Sequence, residues 1–202
     1  MKIAILVEGA TEVAFKGKLI NFLQSRLEKK MPKLIFKTQK GRIPKEGKLK
    51  RVVENYLDND GYDAVITLTD VYTGTNDFEN ADDAKAKMTK WVGNNPNFYP
   101  HTALHDFEAW LLPYWKTIQI LAKHDRSVPS GAPETVNHQN PPSHWIKEIF
   151  EIGGCKTSYN KPIHGARILR DNDLMIAIQV CPELKAFVNR IIYLCDKTKV
   201  IP

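Results

Sequence analysis

Short apolar segments alternate with helical segments along the first half of the chain. The segment "KIAILV", Lys2–Val7, is short, apolar and β-branched, and from Thr11 to about Lys30 apolar residues recur every three or four positions. The first pattern predicts a buried strand, and the second predicts a helix with one apolar face. The order repeats with "KLIFKT" before "KLKRVVENYLDND", and with "YDAVITLTDVY" before a helix at Asn80–Val92 that Gly93 should end. Alternation of this kind builds right-handed βαβ units, so we predict an α/β protein with a parallel sheet covered on both faces.

The second half of the chain predicts one more strand and then mostly helices. "NFYPHTALHDF" offers a fourth strand that leads into a helix at "EAWLLPYW", which closes a core over residues 1–124. Residues 125–143 contain four prolines and predict an excursion or lid. A short helix near Trp145, a basic loop at "GGCKTSYNKPIHGAR" and one or two closing helices form a helical extension over 144–202. We expect these parts to make a single domain.

Composition favours a soluble cytoplasmic protein. No apolar run approaches the roughly 18 residues that a membrane helix needs, and the apolar stretch at the N-terminus is too short for a signal peptide. The three cysteines lie far apart, as is typical of a reduced chain rather than of a disulfide framework or a zinc site.

The net charge of +6 is unevenly distributed. The segment Lys29–Arg51 carries ten basic residues and one acidic residue, Glu46, so the rest of the chain is net acidic. A local positive field of this kind suits a polyanion such as nucleic acid, and Lys40, Arg42 and Lys45 are candidate phosphate contacts. The alternative is an ordinary solvated surface.

Acidic residues follow three of the predicted strands. Glu8 ends the first, Asp70 ends the third, and Asp106 with Glu108 ends the fourth. The carboxyl ends of parallel strands meet at one sheet edge, where ligands bind. Clustered carboxylates repel one another unless a cation or a proton relieves them, and Mg²⁺ or Mn²⁺ suits such hard oxygen ligands. The pattern predicts metal-assisted phosphodiester cleavage; alternatively, Glu8 and Glu12 simply favour the N-terminus of the first helix.

Several motifs carry a resemblance to a known family. "ILVEGATEVAF" resembles the first motif of Toprim domains, in which a Glu-Gly pair follows the first strand, and "ITLTDVYTG" resembles the second, which usually reads Asp-x-Asp. "HDFEAWLL" and "KTSYNKPIHGARI" resemble a small, largely uncharacterised Toprim-like family of prokaryotes. Its members are similar to the nuclease domain of overcoming-lysogenization-defect proteins and often neighbour mobile or defence genes. The resemblance covers nearly the whole chain.

The resemblance implies a Toprim-like parallel core of about four strands and a nuclease that cleaves DNA or RNA with Mg²⁺ (or Mn²⁺). It assigns Glu8 as general acid/base or metal ligand and Asp70 as metal ligand. It also implies a setting in defence or mobile elements, with nucleic acid as partner and a protein partner such as an ATPase. The alternative is a non-catalytic or partner-dependent subunit that binds nucleic acid or a nucleotide at the same edge.

The sequence departs from the Toprim pattern at Tyr72, where the second Asp is expected. Tyr cannot replace a carboxylate at neutral pH, because its pKa lies near 10. We predict that Glu108 supplies the third metal ligand from the first turn of a helix, with Phe107 and Trp110 turned into the core. Asp106 suits the N-cap position of that helix instead. The alternative makes Glu108 a first-turn acid that favours the helix dipole.

Further candidates lie near the acids and in a second basic cluster. Lys161 could stabilise the charge that develops on a phosphate, and Arg167 and Arg170 could hold backbone phosphates. His105, beside the acids, could shuttle a proton. For each of these residues, a solvated or purely structural position is the alternative.

Overall fold

The fold is built on a four-stranded parallel sheet, seen in a computed structural model that describes residues 1–39, 41–71, 77–136, 140–154 and 158–202. The strands are β1 (Lys2–Val7), β2 (Lys33–Thr38), β3 (Ala64–Val71) and β4 (Phe98–Leu104). They lie in the order β2-β1-β3-β4, and every neighbouring pair is parallel. The predicted α/β class is confirmed, with the first two strands at the predicted bounds.

Helices follow the strands and make up most of the second half. The α-helices are α1 (Ala10–Leu27), α2 (Glu46–Glu54), α3 (Ala81–Val92), α4 (Trp115–Ala122), α5 (Pro142–Ile152), α6 (Lys161–Arg170), α7 (Leu174–Val180) and α8 (Pro182–Cys195). Short 3-10 helices lie at Glu28–Lys30, Phe107–Tyr114, Pro133–Thr135 and Lys197–Lys199, and a π-helical turn lies at Asn55–Asn59. None of the helices in the described ranges is long and apolar enough to cross a membrane.

The sheet is covered on both faces, as expected for a parallel sheet. Side chains alternate along a strand, so Ile3, Ile5 and Val7 of β1 face one layer, and Ala4 and Leu6 face the other. The first layer contains α1 and the helices of the C-terminal half, and the second contains α2 and α3. The C-terminal helices therefore extend the same core that α1 begins.

Two predicted elements differ from the structure. The segment expected as a helix at "EAWLLPYW" is a 3-10 helix that contains Pro113, whose ring removes one backbone N–H donor. The segment expected as a basic loop becomes helical at Lys161, the first residue of α6. The Asn160 side chain caps this helix by accepting a hydrogen bond from the Ile163 N–H at 3.0 Å, and Pro162 fits the first turn.

The proline-rich segment 125–143 is held against the body of the protein at Glu134. This carboxylate is 5 % exposed and accepts hydrogen bonds from Trp110 Nε1 at 2.9 Å and from the N–H groups of Glu183 and Leu184 at 3.0 and 3.3 Å. The two backbone donors belong to the first turn of α8, so Glu134 satisfies a helix end that would otherwise be unpaired. Glu134 and Val136 are thus buried against the body of the protein, and this part of the segment is not a detached flap.

Candidate functional site

The carboxyl ends of β1 and β3 bring Glu8 and Asp70 together. The register places Val7 opposite Leu68, so Glu8 follows beside the last residues of β3. Glu8 Oε1 accepts a hydrogen bond from the Thr69 hydroxyl and a second one, at 3.3 Å, from the Asp70 backbone N–H. The two acids predicted to share this edge are neighbours in the structure.

A third carboxylate, Glu12, lies in the first turn of α1 and is only 5 % exposed. Burial raises the pKa of the Glu12 carboxyl, although backbone hydrogen bonds and the charge of Lys161 oppose the shift. Burial likewise raises the pKa of Glu8, against its two hydrogen bonds, and the charge of Glu12 adds to the effect. Glu8 and Glu12 therefore form one electrostatic group, which solvated charges at a helix N-terminus would not.

Asp106 follows β4 and is fully buried. It occupies the N-cap position of the 3-10 helix, as predicted, but its side chain makes no capping hydrogen bond. Its Oδ2 instead accepts a hydrogen bond from the Ser143 N–H at 3.1 Å, at the start of α5, and its Oδ1 is buried without a partner among the described residues. Burial raises the pKa of Asp106.

Glu108 is 1 % exposed and forms an ion pair with Lys161, whose Nζ lies 3.0 Å from Glu108 Oε2. The Tyr159 hydroxyl donates to the other oxygen at 3.4 Å. Burial and the negative charge of Asp106 raise the pKa of Glu108 to about 7, although Lys161 acts to lower it. As predicted, Phe107 and Trp110 turn into the core beside it, at 2 % and 1 % exposure.

Lys161 links the two groups of acids. Burial alone would lower the pKa of its ammonium, but the carboxylates Glu108 and Asp106, followed by Asp70, outweigh burial and raise that pKa. Its charge also reaches Glu12. Lys161 holds this position because α6 packs beside the N-terminus of α1, where a methyl group added to Gly165 would lie 3.6 Å from Thr11 Cγ2.

His105 stands between β4 and the acids. Its Nδ1 lies 3.2 Å from the Val71 carbonyl oxygen, and since a carbonyl only accepts, Nδ1 carries a proton. The imidazole interacts electrostatically with Asp106. The position is compatible with proton transfer, which stays a prediction.

The carboxylate oxygens of Glu8 and Asp70 are ligands of the kind that Mg²⁺ prefers. Proteins commonly hold Mg²⁺ with one or two carboxylates, while water and substrate phosphate complete the shell. Across the described ranges, however, no three His, Cys, Asp or Glu side chains come close enough together to hold an ion. Glu108 is therefore not brought into one cluster with Glu8 and Asp70, and its role as third ligand stays a prediction. Tyr72 lies outside the described residues.

The predicted nucleic-acid contacts are placed unequally. Lys40 lies outside the described residues. Arg42 and Lys45 both pair with Asp77. An acid that the sequence pattern did not indicate therefore neutralises part of the basic segment Lys29–Arg51, called the basic tract below. The loop that carries Arg42 sits against the acidic edge, because the Gly41 N–H donates to the Glu8 carbonyl oxygen at 3.0 Å and the charge of Arg42 acts on Glu8.

Arg167 and Arg170 lie exposed toward the end of α6. At about 1.5 Å per residue, Arg170 is roughly 13 Å along the helix from Lys161. It forms an ion pair with Asp171 at 3.0 Å. Neither arginine joins the acids, and both stay predicted phosphate contacts on a neighbouring surface.

Sequence reasoning missed Glu12 and Tyr159 as parts of the site. Glu12 is four residues after Glu8, and the sequence indicates only a charge that favours the first helix. Nothing in the local sequence around Tyr159 indicates that its hydroxyl contacts Glu108. The missing signal is tertiary: α6 covers the start of α1 and brings "SYNK" against "DFE". Acid spacing in "EGATE" gives a weak hint, since residues four apart across a helix start can face one side.

The fold and site define an α/β protein with buried carboxylates and one lysine at the carboxyl edge of its sheet. A family model described as a domain of unknown function (DUF4276) matches residues 7–192, and the chain belongs to this family. Membership in an uncharacterised family, expected from the motifs, is thereby confirmed.

Comparison with other proteins gives remote structural similarity. No curated protein matches the chain. The C-terminal region of the Xanthomonas campestris pv. campestris OLD protein is 13 % identical, with a TM-score of 0.49 over 98 % of this chain and 93 % of that one. The C-terminal region of the Burkholderia pseudomallei OLD protein is 12 % identical, with a TM-score of 0.49 over 98 % of each chain.

Proposed function

We propose that this protein is a metal-dependent nuclease that cleaves phosphodiester bonds of DNA or RNA at the carboxyl edge of its sheet. One observation carries the proposal: acids from the ends of β3 and β4, Asp70, Asp106 and Glu108, act on a single ammonium, that of Lys161, while Glu8 at the end of β1 lies beside Asp70. Buried like charges cost stability unless they are used or neutralised. The resemblance of "ILVEGATEVAF" and "ITLTDVYTG" to Toprim motifs supports the same reaction class.

Glu8 and Asp70 would hold Mg²⁺ or Mn²⁺, with Glu108 proposed as a further ligand. The bound ion would supply Lewis-acid polarisation of the phosphate and an activated water. Glu12, buried beside Glu8, adds negative charge to the same side of the edge. Asp106 would act on the site through its charge, since its Oδ2 is committed to Ser143.

The protein's own groups would then handle charge and protons. Lys161 would donate hydrogen bonds to the non-bridging oxygens of the phosphate as negative charge develops there. In its alternative role, as general acid/base instead of metal ligand, Glu8 would exchange a proton at Oε2, because Oε1 is held by Thr69 and Asp70. Its raised pKa moves it toward the range useful for general acid/base work near neutral pH.

Substrate binding would rest on the basic loop beside Glu8. Arg42 and Lys45, with Lys40, would contact backbone phosphates on one side of the edge, and Arg167 and Arg170 on another. Phosphate contacts of this kind position a nucleic acid without reading its sequence. A defence or mobile-element setting and a protein partner such as an ATPase belong to the same proposal.

A second candidate is a subunit that binds nucleic acid or a nucleotide without cleaving it. The observation in its favour is that Lys161 already neutralises Glu108 at 3.0 Å. Metal dependence separates the two functions, because cleavage requires Mg²⁺ and this binding does not.

The decisive experiment measures cleavage of labelled DNA and RNA by the full chain across a Mg²⁺ titration. Glu8→Gln and Asp70→Asn should each lower the rate by at least about 100-fold, with melting temperature unchanged or raised because repulsion is relieved. The matched control is Glu148→Gln, which removes an α5 carboxylate that pairs with Arg126. This variant should cleave nucleic acid at the wild-type rate. Wild-type cleavage rates in both site variants would rule out the proposed catalytic role of these acids. Unfolding of both variants would show that the acids are needed for the fold.

A further inference from the structure

A separate pocket lies where α8 packs beside β4. It has a volume of about 490 Å³ and is lined by His101, Ala186, Asn189, Arg190, Tyr193 and Val200. His101 is three residues before the last residue of β4, so roughly 10 Å of strand separates it from the carboxyl edge. The pocket is thus distinct from the acidic site.

Arg190 brings a positive charge to this pocket that the described residues leave without an acidic partner. Its guanidinium lies 4.7 Å from the Tyr99 ring centre and 5.8 Å from that of Tyr193. Within the ranges that the structure describes, no carboxylate oxygen comes within 4.0 Å of it, and its buried Nε has no hydrogen-bond partner. A partly buried cation of this kind is a ready counter-charge for an anion.

His101 adds a neutral donor to the same wall. The ring is 7 % exposed and packs edge-on against Phe187 at 5.8 Å. Burial, with the charges of Arg190 and Lys85, lowers the pKa of His101 to about 3. Its buried Nδ1 finds no partner in the described part of the chain. An N–H there would lack an acceptor, so the proton belongs on Nε2, which can donate to a ligand.

The remaining wall is preformed. The Asn189 side chain accepts from the Ile201 N–H at 2.8 Å and donates to the Ile201 carbonyl at 2.9 Å, which fixes the C-terminal segment beside α8. At the rim, Lys197 Nζ lies 4.9 Å from the centre of the Tyr193 ring, and this tyrosine is 44 % exposed. Two cations therefore border one aromatic surface.

We infer that this pocket binds a small phosphate-bearing molecule, with the Arg190 guanidinium as counter-charge and His101 Nε2–H as a second donor. The volume falls within the roughly 300–1,000 Å³ typical of small-molecule sites. The planar guanidinium matches the oxygens of phosphate in a bidentate manner. The inference concerns a second site and does not depend on whether the acidic edge cleaves nucleic acid.

Isothermal titration calorimetry tests the inference by measuring the affinity of the full chain for inorganic phosphate in metal-free buffer. Arg190→Gln should weaken phosphate binding by roughly tenfold or more, as expected for loss of a charged hydrogen-bond partner. Arg126→Gln is the matched control: that guanidinium also lies over a ring, 5.3 Å from the centre of Trp145, but Glu148 neutralises it. The control should bind phosphate like the wild type.

A second variant and a spectroscopic readout guard against misfolding. His101→Phe should fold, because an apolar ring suits the buried position, and should weaken phosphate binding severalfold. In the wild type, phosphate should shift the His101 Nε2 resonance in a ¹⁵N NMR titration. Equal phosphate binding by Arg190→Gln and wild type, an unmoved His101 resonance, or tighter binding of succinate than of phosphate would overturn the inference.

Discussion

At the scale of single residues, the site is governed by how one ammonium is shared among several carboxylates. Lys161 forms an ion pair with Glu108 at 3.0 Å. The charges of Glu108, Asp106 and Asp70 together raise the pKa of the Lys161 ammonium. A buried carboxylate without this neighbour would bear the full cost of desolvation. The lysine therefore stabilises the fold at the point where its charge would also serve a phosphate.

Replacing Lys161 with Met should destabilise the protein in a pH-dependent way. At pH 8 the ionised Glu108 loses its partner, and we expect a loss of about 1–3 kcal/mol, moderated because the lysine side chain is 43 % exposed. At pH 5 Glu108 is protonated and the loss should largely disappear. Urea unfolding at both pH values measures this, and Lys161→Arg should behave like the wild type. Equal losses at both pH values would contradict the shared-charge account.

Glu108 itself should make the folded protein less stable as pH rises. Its pKa is about 7 in the folded state against an ordinary value of 4.5, so the native protein binds the extra proton between these values. Unfolding free energy must then fall as pH rises from about 4.5 to 7, by an amount of the order of 1–3 kcal/mol. Glu108→Gln should flatten that slope, as followed by urea unfolding from pH 4.5 to 8. Glu148→Gln should retain the full slope.

At the scale of elements, strands were more predictable than side-chain partners. The contiguous apolar run of β1 marks that strand, because a buried parallel strand needs apolar side chains on both faces. β2 lies at the edge of the sheet and is only partly buried, but its apolar run Leu34–Phe36 marks it as well. Asp106 takes the predicted N-cap position, but its side chain does not cap the helix, because a distant element supplies its donor, the Ser143 N–H of α5. Lys161 begins a helix because the Asn160 side chain caps it. This capping residue is present in the sequence, but the many basic residues around it favoured the prediction of a loop.

Substitutions of Asp106 and Glu108 should change the Mg²⁺ dependence of cleavage to different extents, because the two side chains contact different elements. Asp106 is fully buried and its Oδ2 is held by the Ser143 N–H, whereas the partner of Glu108, Lys161, is 43 % exposed and would be displaced by a metal or a substrate in the proposed reaction. Glu108→Gln should therefore raise the Mg²⁺ concentration needed for half-maximal cleavage by at least about tenfold, and Asp106→Asn should change it far less. Titration of cleavage rate with Mg²⁺ compares them. Unchanged metal dependence in Glu108→Gln would place the third ligand elsewhere and favour the non-catalytic alternative.

At the scale of the whole molecule, the C-terminal helices complete the α1 layer and build the site from both halves of the chain. Sequence patterns predicted a short helix near Trp145 and one or two closing helices, but they predicted a loop where α6 begins and did not place α6 against α1. Helix-on-helix placement depends on matching surfaces far apart in the chain, such as Gly165 with Thr11, and local periodicity carries no such information. Hence the pairing of Glu8 with Asp70, on neighbouring strands, was predictable. Lys161 was predicted as a candidate site residue, but its place beside Glu108 was not, and neither was the burial of Glu12 beside Glu8.

The molecule as a whole should bind nucleic acid through the basic tract, in a manner that salt and one acid control. Affinity should fall with salt by a slope of roughly 0.7–0.9 per contacted phosphate, and alanine at Lys40, Arg42 and Lys45 together should lower that slope by about two to three. Because Asp77 pairs with both Arg42 and Lys45 and offsets one of their two positive charges, Asp77→Asn should free both cations and tighten binding severalfold. Fluorescence anisotropy from about 50 to 200 mM salt measures both effects, with alanine at the exposed lysines Lys116, Lys123 and Lys147 as control. An unchanged slope in the basic-tract variant, or weaker binding by Asp77→Asn, would make the tract ordinary surface.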